Sequence, residues 1–143
     1  MKDIRLILLC LFAFTACKSQ KQNSNNGCTD IMCTEEFQMI PVKLISTSGK
    51  EVSFKSYKII ETATGKEIKN NAELPNTSEN TNTLIVADDS HRKEFAERGT
   101  DLQLQITRSD DKIIKVAFKI SGGKCACHVA KLNGPDQVDM DSL

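Results

Sequence analysis

Residues 101–121 read DLQLQITRSDDKIIKVAFKIS. Leu102, Leu104 and Ile106 alternate with Gln103, Gln105 and Thr107; then Ile114, Val116, Phe118 and Ile120 share one face while Lys115 and Lys119 take the other. Successive side chains of an extended chain project to opposite faces, so each half carries an apolar stripe on one side and polar groups on the other. Ser109, Asp110 and Asp111 between them are turn residues. The stretch therefore predicts an antiparallel hairpin buried on one face.

The same reading extends upstream. FQMIPVKLIS (37–46) places Ile40, Val42 and Leu44 on one face, and Pro41, which has no amide hydrogen, puts this strand at an edge or at a bulge. After the turn Ser48-Gly49-Lys50, a strand FKSYKIIETA (54–63) runs through Thr64-Gly65-Lys66 into a short Glu67-Ile68 return. NNAELPNTSENTN (70–82) is polar and loop-like, and TLIVA (83–87) is a further strand. Adjacent apolar residues leave the facing of the strands at 54–63 and 83–87 ambiguous.

DDSHRKEFAERG (88–99) predicts one short helix over about residues 89–98. Its acids sit at the positive end of the dipole, Arg98 at the negative end and Gly99 at the stop, with Phe95 as core anchor. Downstream, the residues around Cys125 and Cys127 read as a strand ended by Gly134-Pro135, and Val138 with Met140 as a last short one. Seven or so strands at spacings of about ten residues predict a mainly β chain: a single immunoglobulin-like or transthyretin-like β-sandwich. GKEVSFKSYKIIETATGKEI (49–68) is similar in its apolar and glycine pattern to the opening of regulatory-type carboxypeptidase sandwich domains, which bears on fold and not on chemistry.

The 143 residues include 19 basic and 19 acidic side chains, six cysteines and no tryptophan. Balanced charge without a basic stripe argues against a nucleic-acid partner. Lys2 and Arg5 precede an apolar run from Leu6 to Phe14, too short to cross ~30 Å of hydrocarbon, and small residues lead up to Cys17. This start reads as a secretory signal, and Phe14-Thr15-Ala16-Cys17 resembles the lipobox of bacterial lipoproteins. The resemblance implies cleavage after residue 16, lipidation of Cys17 and anchorage in a membrane. Lys18, where an aspartate would favour inner-membrane retention, points to the outer membrane. Residues 18–27, KSQKQNSNNG, contain nothing apolar, so residues 17–27 read as a lipidated cysteine and flexible tether, and residues 28–143 as the sandwich.

With Cys10 removed and Cys17 lipidated, four cysteines remain: Cys28, Cys33, Cys125 and Cys127. Residues two apart on a strand lie too far apart for an easy bridge, so disulfides between the two clusters are preferred. Were the two segments antiparallel, Cys28 would meet Cys127 and Cys33 would meet Cys125. The alternative is a metal-binding or redox module in which Cys125, Cys127 and His128 act as ligands and Cys28 and Cys33 complete the shell. CTDIMCTEEF (28–37) and CACHVAKLNGPDQV (125–138) resemble small uncharacterised lipoproteins of Bacteroidota, a likeness that implies no activity.

No GxSxG, HExxH, phosphate loop or dinucleotide fingerprint is present, and His91 and His128 have no partner recognisable from sequence. The expectation is a non-enzymatic, cofactor-free protein-binding or structural module. Its partners are the membrane, through the lipid, and an envelope protein at either the Pro41 strand or the loop from Asn70 to Asn82.

Overall fold

The hairpin at 101–121 forms as its alternation requires: β5 (Thr100–Arg108) pairs antiparallel with β6 (Ile113–Ser121), with Leu102 opposite Phe118 and Ile106 opposite Ile114. The computed structural model describes residue 28, residues 31–72, 74 and 77, and residues 80–142. The leader expected at 1–16, Cys17 and the tether expected up to residue 27 lie outside the described residues. Ile31–Leu143 make one compact unit, and every strand among the described residues belongs to it.

Before the hairpin come β1 (Met39–Ile45), β2 (Phe54–Glu61), β3 (Glu67–Ile68) and β4 (Thr83–Asp88); after it come β7 (Ala130–Asn133) and β8 (Gln137–Asp139). They build two open sheets in a sandwich-like arrangement, one ordered β4-β1-β8 and the other β3-β2-β5-β6-β7. Val42 and Leu44 of β1, Ile59 of β2, Leu104 of β5 and Ile120 of β6 are buried together in one apolar core. Burial of side chains this size contributes about 1.5–3 kcal/mol each.

Pro41 sits at a register shift between Ile40 and Pro41, so its missing amide falls at a bulge. Its strand is not an edge, however: β4 flanks β1 on one side, and β8 pairs in parallel with Lys43, Leu44 and Ile45 on the other. The facing of β4 is also settled. From Leu84 to Asp88 every residue is buried, because the segment after β3 covers its free side: Asn70 Nδ2 donates to the Ile85 carbonyl at 2.7 Å.

The helix expected at 89–98 is absent. Asp89–His91 make a single 3₁₀ turn, and the chain continues to Gly99 in turns. Tertiary partners take the hydrogen bonds that an α-helix needs. The Arg92 carbonyl, which would accept the Ala96 amide, accepts Gly123 N at 2.8 Å, while Ala96 N donates to Thr100 Oγ1 at 2.8 Å. Ten residues are near the lower limit for helix stability in water, so competition of this kind decides the outcome. Phe95 is buried nevertheless, as an anchor should be.

The strand expected around Cys125 and Cys127 is likewise replaced by turns and bends over residues 124–128. Gly122 and Gly123 leave the sheet because their amides donate to the Ala96 and Arg92 carbonyls. Strand pairing resumes only at β7, with Ala130 opposite Ser121.

Gly134 follows β7 at a φ of 124°, where an added Cβ would collide with the edge of the Phe118 ring at Cδ1. Gly134→Ala therefore combines a strained backbone with overpacking, and each costs about 1–3 kcal/mol. A fall in the urea midpoint at unchanged slope is the expected result.

Candidate functional site

The chemically dense part of the unit is the pole where β4 ends, β5 begins and the 122–129 segment crosses over. Its groups are Asp88, Asp89, Arg92, Cys127 and His128, together with the stretch from Cys33 to Gln38.

Asp88 is fully buried. One carboxylate oxygen accepts the Asn71 and Ala72 amides, each at 2.9 Å, and the other accepts the Ser90 amide at 2.9 Å and the Ser90 hydroxyl. Burial alone would push its pKa up, but the hydrogen bonds outweigh that and hold it below the ordinary carboxylate value. Asp88 is thus the N-cap of the 3₁₀ turn and also the tie that folds the post-β3 segment over β4.

Asp89 faces the other way. It accepts the Gln38 amide at 2.9 Å and the Val129 amide at 2.8 Å, and its Oδ2 lies 2.7 Å from His128 Nδ1. Desolvation again opposes its charge, but the Gln38 amide, His128 and the Val129 amide together keep its pKa low. A carboxylate can only accept, so Nδ1 of His128 carries the hydrogen. In the neutral ring Nε2 is then free to accept the Thr34 hydroxyl, 2.9 Å away.

Cys33, next to Thr34, is joined to Cys127, next to His128, by a disulfide. This excludes the pairs Cys28–Cys127 and Cys33–Cys125 expected for antiparallel segments. In the turn that replaces the strand, Cys127 rather than Cys125 is presented to Cys33. Cys28 and Cys125 are also disulfide-bonded. The Arg92 guanidinium donates to the carbonyls of Ala126 and Cys127 and so fixes the turn from the opposite side.

Carboxylate, imidazole and hydroxyl stand here in the order of a base-activated nucleophile. The same groups, though, all tie one segment down. Gln38 N to Asp89, Thr34 to His128 and Cys33 to Cys127 fasten residues 33–38 to the pole at three successive points. An open cleft of about 190 Å³ between Ser46, Val52, Arg108 and Met140 lies elsewhere, at the opposite pole. There Asp141 accepts Ser46 Oγ and Ser48 N, and Asp139 accepts Thr47 Oγ1, which holds the β1–β2 loop against the C-terminal segment.

The metal reading of Cys125, Cys127 and His128 meets a different chemistry. Both sulfurs are in disulfides and therefore are not thiolates, and both His128 ring nitrogens are engaged by Asp89 and Thr34. Among the described residues no group of three metal-ligating side chains forms. Sequence reasoning found the cysteines but missed the partners of His128. Nothing local marks Thr34 or Asp89, which lie 94 and 39 residues away; the one available signal was the Gly122-Gly123 doublet, which breaks the strand and turns His128 toward them. No family model matches the chain, and no curated protein or solved structure matches it.

Proposed function

We propose that this chain is an envelope lipoprotein, anchored in the outer membrane through Cys17, whose β-sandwich acts as a non-enzymatic binding or structural module. The observation that carries the reading is the arrangement at the start of the sequence: Lys2 and Arg5, an apolar run, then Phe14-Thr15-Ala16-Cys17. The disulfide between Cys33 and Cys127 supports it, because such bonds persist in oxidising compartments outside the cytosol. The three-point fastening of residues 33–38 suits a tethered module. Any load arriving along the anchor chain meets a covalent bond and two hydrogen-bonded side chains before it reaches β1.

Metabolic labelling with an alkynyl palmitate tests the anchor. The wild-type chain takes up label and sediments with membranes, whereas Cys17→Ala loses both properties. Label retained in Cys17→Ala would refute the assignment.

A further inference from the structure

Ile31, Met32 and Phe37 are 47%, 96% and 52% exposed, and they are half of the six exposed large apolar side chains among the described residues. They fall within seven consecutive positions of a segment that has neither helix nor strand. Scattered exposed apolar residues are ordinary, but a run of them on one short segment marks a contact surface. The segment is not free to turn these side chains inward. Cys33 is bonded to Cys127, Thr34 meets His128, and the Gln38 amide is held by Asp89, so Phe37 lies within the fastened stretch 33–38 and Ile31 and Met32 directly precede its covalent end at Cys33.

The chain itself selects the occupant. Thirteen residues separate Cys17 from Ile31. Their reach is at most about 50 Å when fully extended and about 20 Å as a coil. An acylated Cys17 therefore keeps position 31 beside the bilayer at high effective concentration, with no need for a further partner. Glu35 and Glu36 are exposed in the same run, a composition suited to zwitterionic headgroups rather than to a strongly anionic surface.

We propose that residues 31–37 are a membrane-contact surface, with Ile31, Met32 and Phe37 seated at the headgroup–acyl boundary of the leaflet that holds the acyl chains of Cys17. The proposal rests on the lipid anchor proposed above. It adds that the sandwich lies against the bilayer by this pole instead of drifting on its tether.

The chain has no tryptophan, so one substitution creates a unique fluorophore. Met32→Trp reports on the proposed surface. Ile113→Trp is the control, since Ile113 is 49% exposed at the start of β6, a strand of nine residues that spans about 27 Å and ends next to the pole. Both variants are prepared as the full lipidated chain in phosphatidylcholine–phosphatidylethanolamine vesicles, with and without brominated acyl chains. Matching thermal unfolding confirms that each keeps the fold.

The expected result is that emission from position 32 moves to shorter wavelength and is quenched by bromine, while position 113 stays at the solvent wavelength and is quenched less. If the protein floats with the vesicles and position 32 still emits as in water, the contact surface is refuted and the anchor stands. A blue shift without bromine quenching that grows with protein density assigns the patch to a second copy of the chain and also overturns the proposal. Failure to float removes the anchor, and the contact surface with it.

Discussion

Replacing Cys33 and Cys127 together by serine is expected to lower the unfolding free energy by about 2–3 kcal/mol. The bridge spans a sequence separation of 94 residues, which in a chain with no other cross-link would restrict the unfolded state by roughly 4–5 kcal/mol; Cys28 and Cys125 stay disulfide-bonded in the variant and already restrict the chain, which leaves this bridge about 2–3 kcal/mol. Against the ~5–15 kcal/mol by which native domains are stable, this is a large share. The Asp89–His128–Thr34 chain and the Gln38–Asp89 bond survive the substitution, so the variant should fold, with a lower urea midpoint. The double variant is the informative one, because a single substitution leaves a thiol free to exchange with neighbouring disulfides. Comparing it with the oxidised wild type keeps the bonding of Cys28 and Cys125 the same. Equal midpoints would mean that the bridge leaves the unfolded chain unconstrained.

Asp88→Ala is the second large effect. It removes the acceptor for three backbone amides, those of Asn71, Ala72 and Ser90, at a site with no exposed surface. A buried donor left without a partner costs about 1–3 kcal/mol, so a total loss of about 3–5 kcal/mol is expected even if the loop over β4 partly opens to water. Asp88→Asn should recover only part of this, because it presents an NH₂ donor to groups that themselves donate. The pH dependence follows from the lowered pKa of Asp88. A carboxylate whose pKa is depressed by folding contributes stability that is complete above its unfolded value, ~3.9, and is lost as pH falls through the lower folded value. The wild type should therefore weaken in acid below about pH 4, and Asp88→Ala should show a shallower decline there. Parallel declines would assign the acid sensitivity to other groups, Asp89 foremost, whose pKa is also lowered.

What the sequence made legible was everything encoded by alternation over several residues. Leu102-Leu104-Ile106 and Ile114 to Ile120 predicted a hairpin, which the structure forms, and the strands at 37–46, 54–63 and 83–87 lie where their apolar residues placed them. Pro41 predicted an edge or a bulge, and the bulge is what forms, because β8 returns in parallel from far along the chain to cover the other side of β1. The failures share one cause. At 89–98 the cap, the dipole charges and the stop glycine are local signals for a helix, but the Arg92 carbonyl and the Ala96 amide are claimed by Gly123 and Thr100. The order of disulfide pairing and the surroundings of His128 depend on the same crossing of the 92–96 and 122–128 segments. Residues this far apart leave no periodic trace in the sequence.

The parallel neighbours β1 and β8 belong to opposite ends of the unit, yet lie side by side in one sheet. A chain that emerges N-terminus first from the ribosome must hold the β8 side of its first strand unpaired until almost all the rest has emerged. The distant contacts that close the sheet and the Cys33–Cys127 bridge are the slow ones to find. Closure of this sheet is therefore a late event: a copy cut short before residue 137 lacks β8 and leaves one side of β1 unpaired, an open strand edge that invites pairing with other chains.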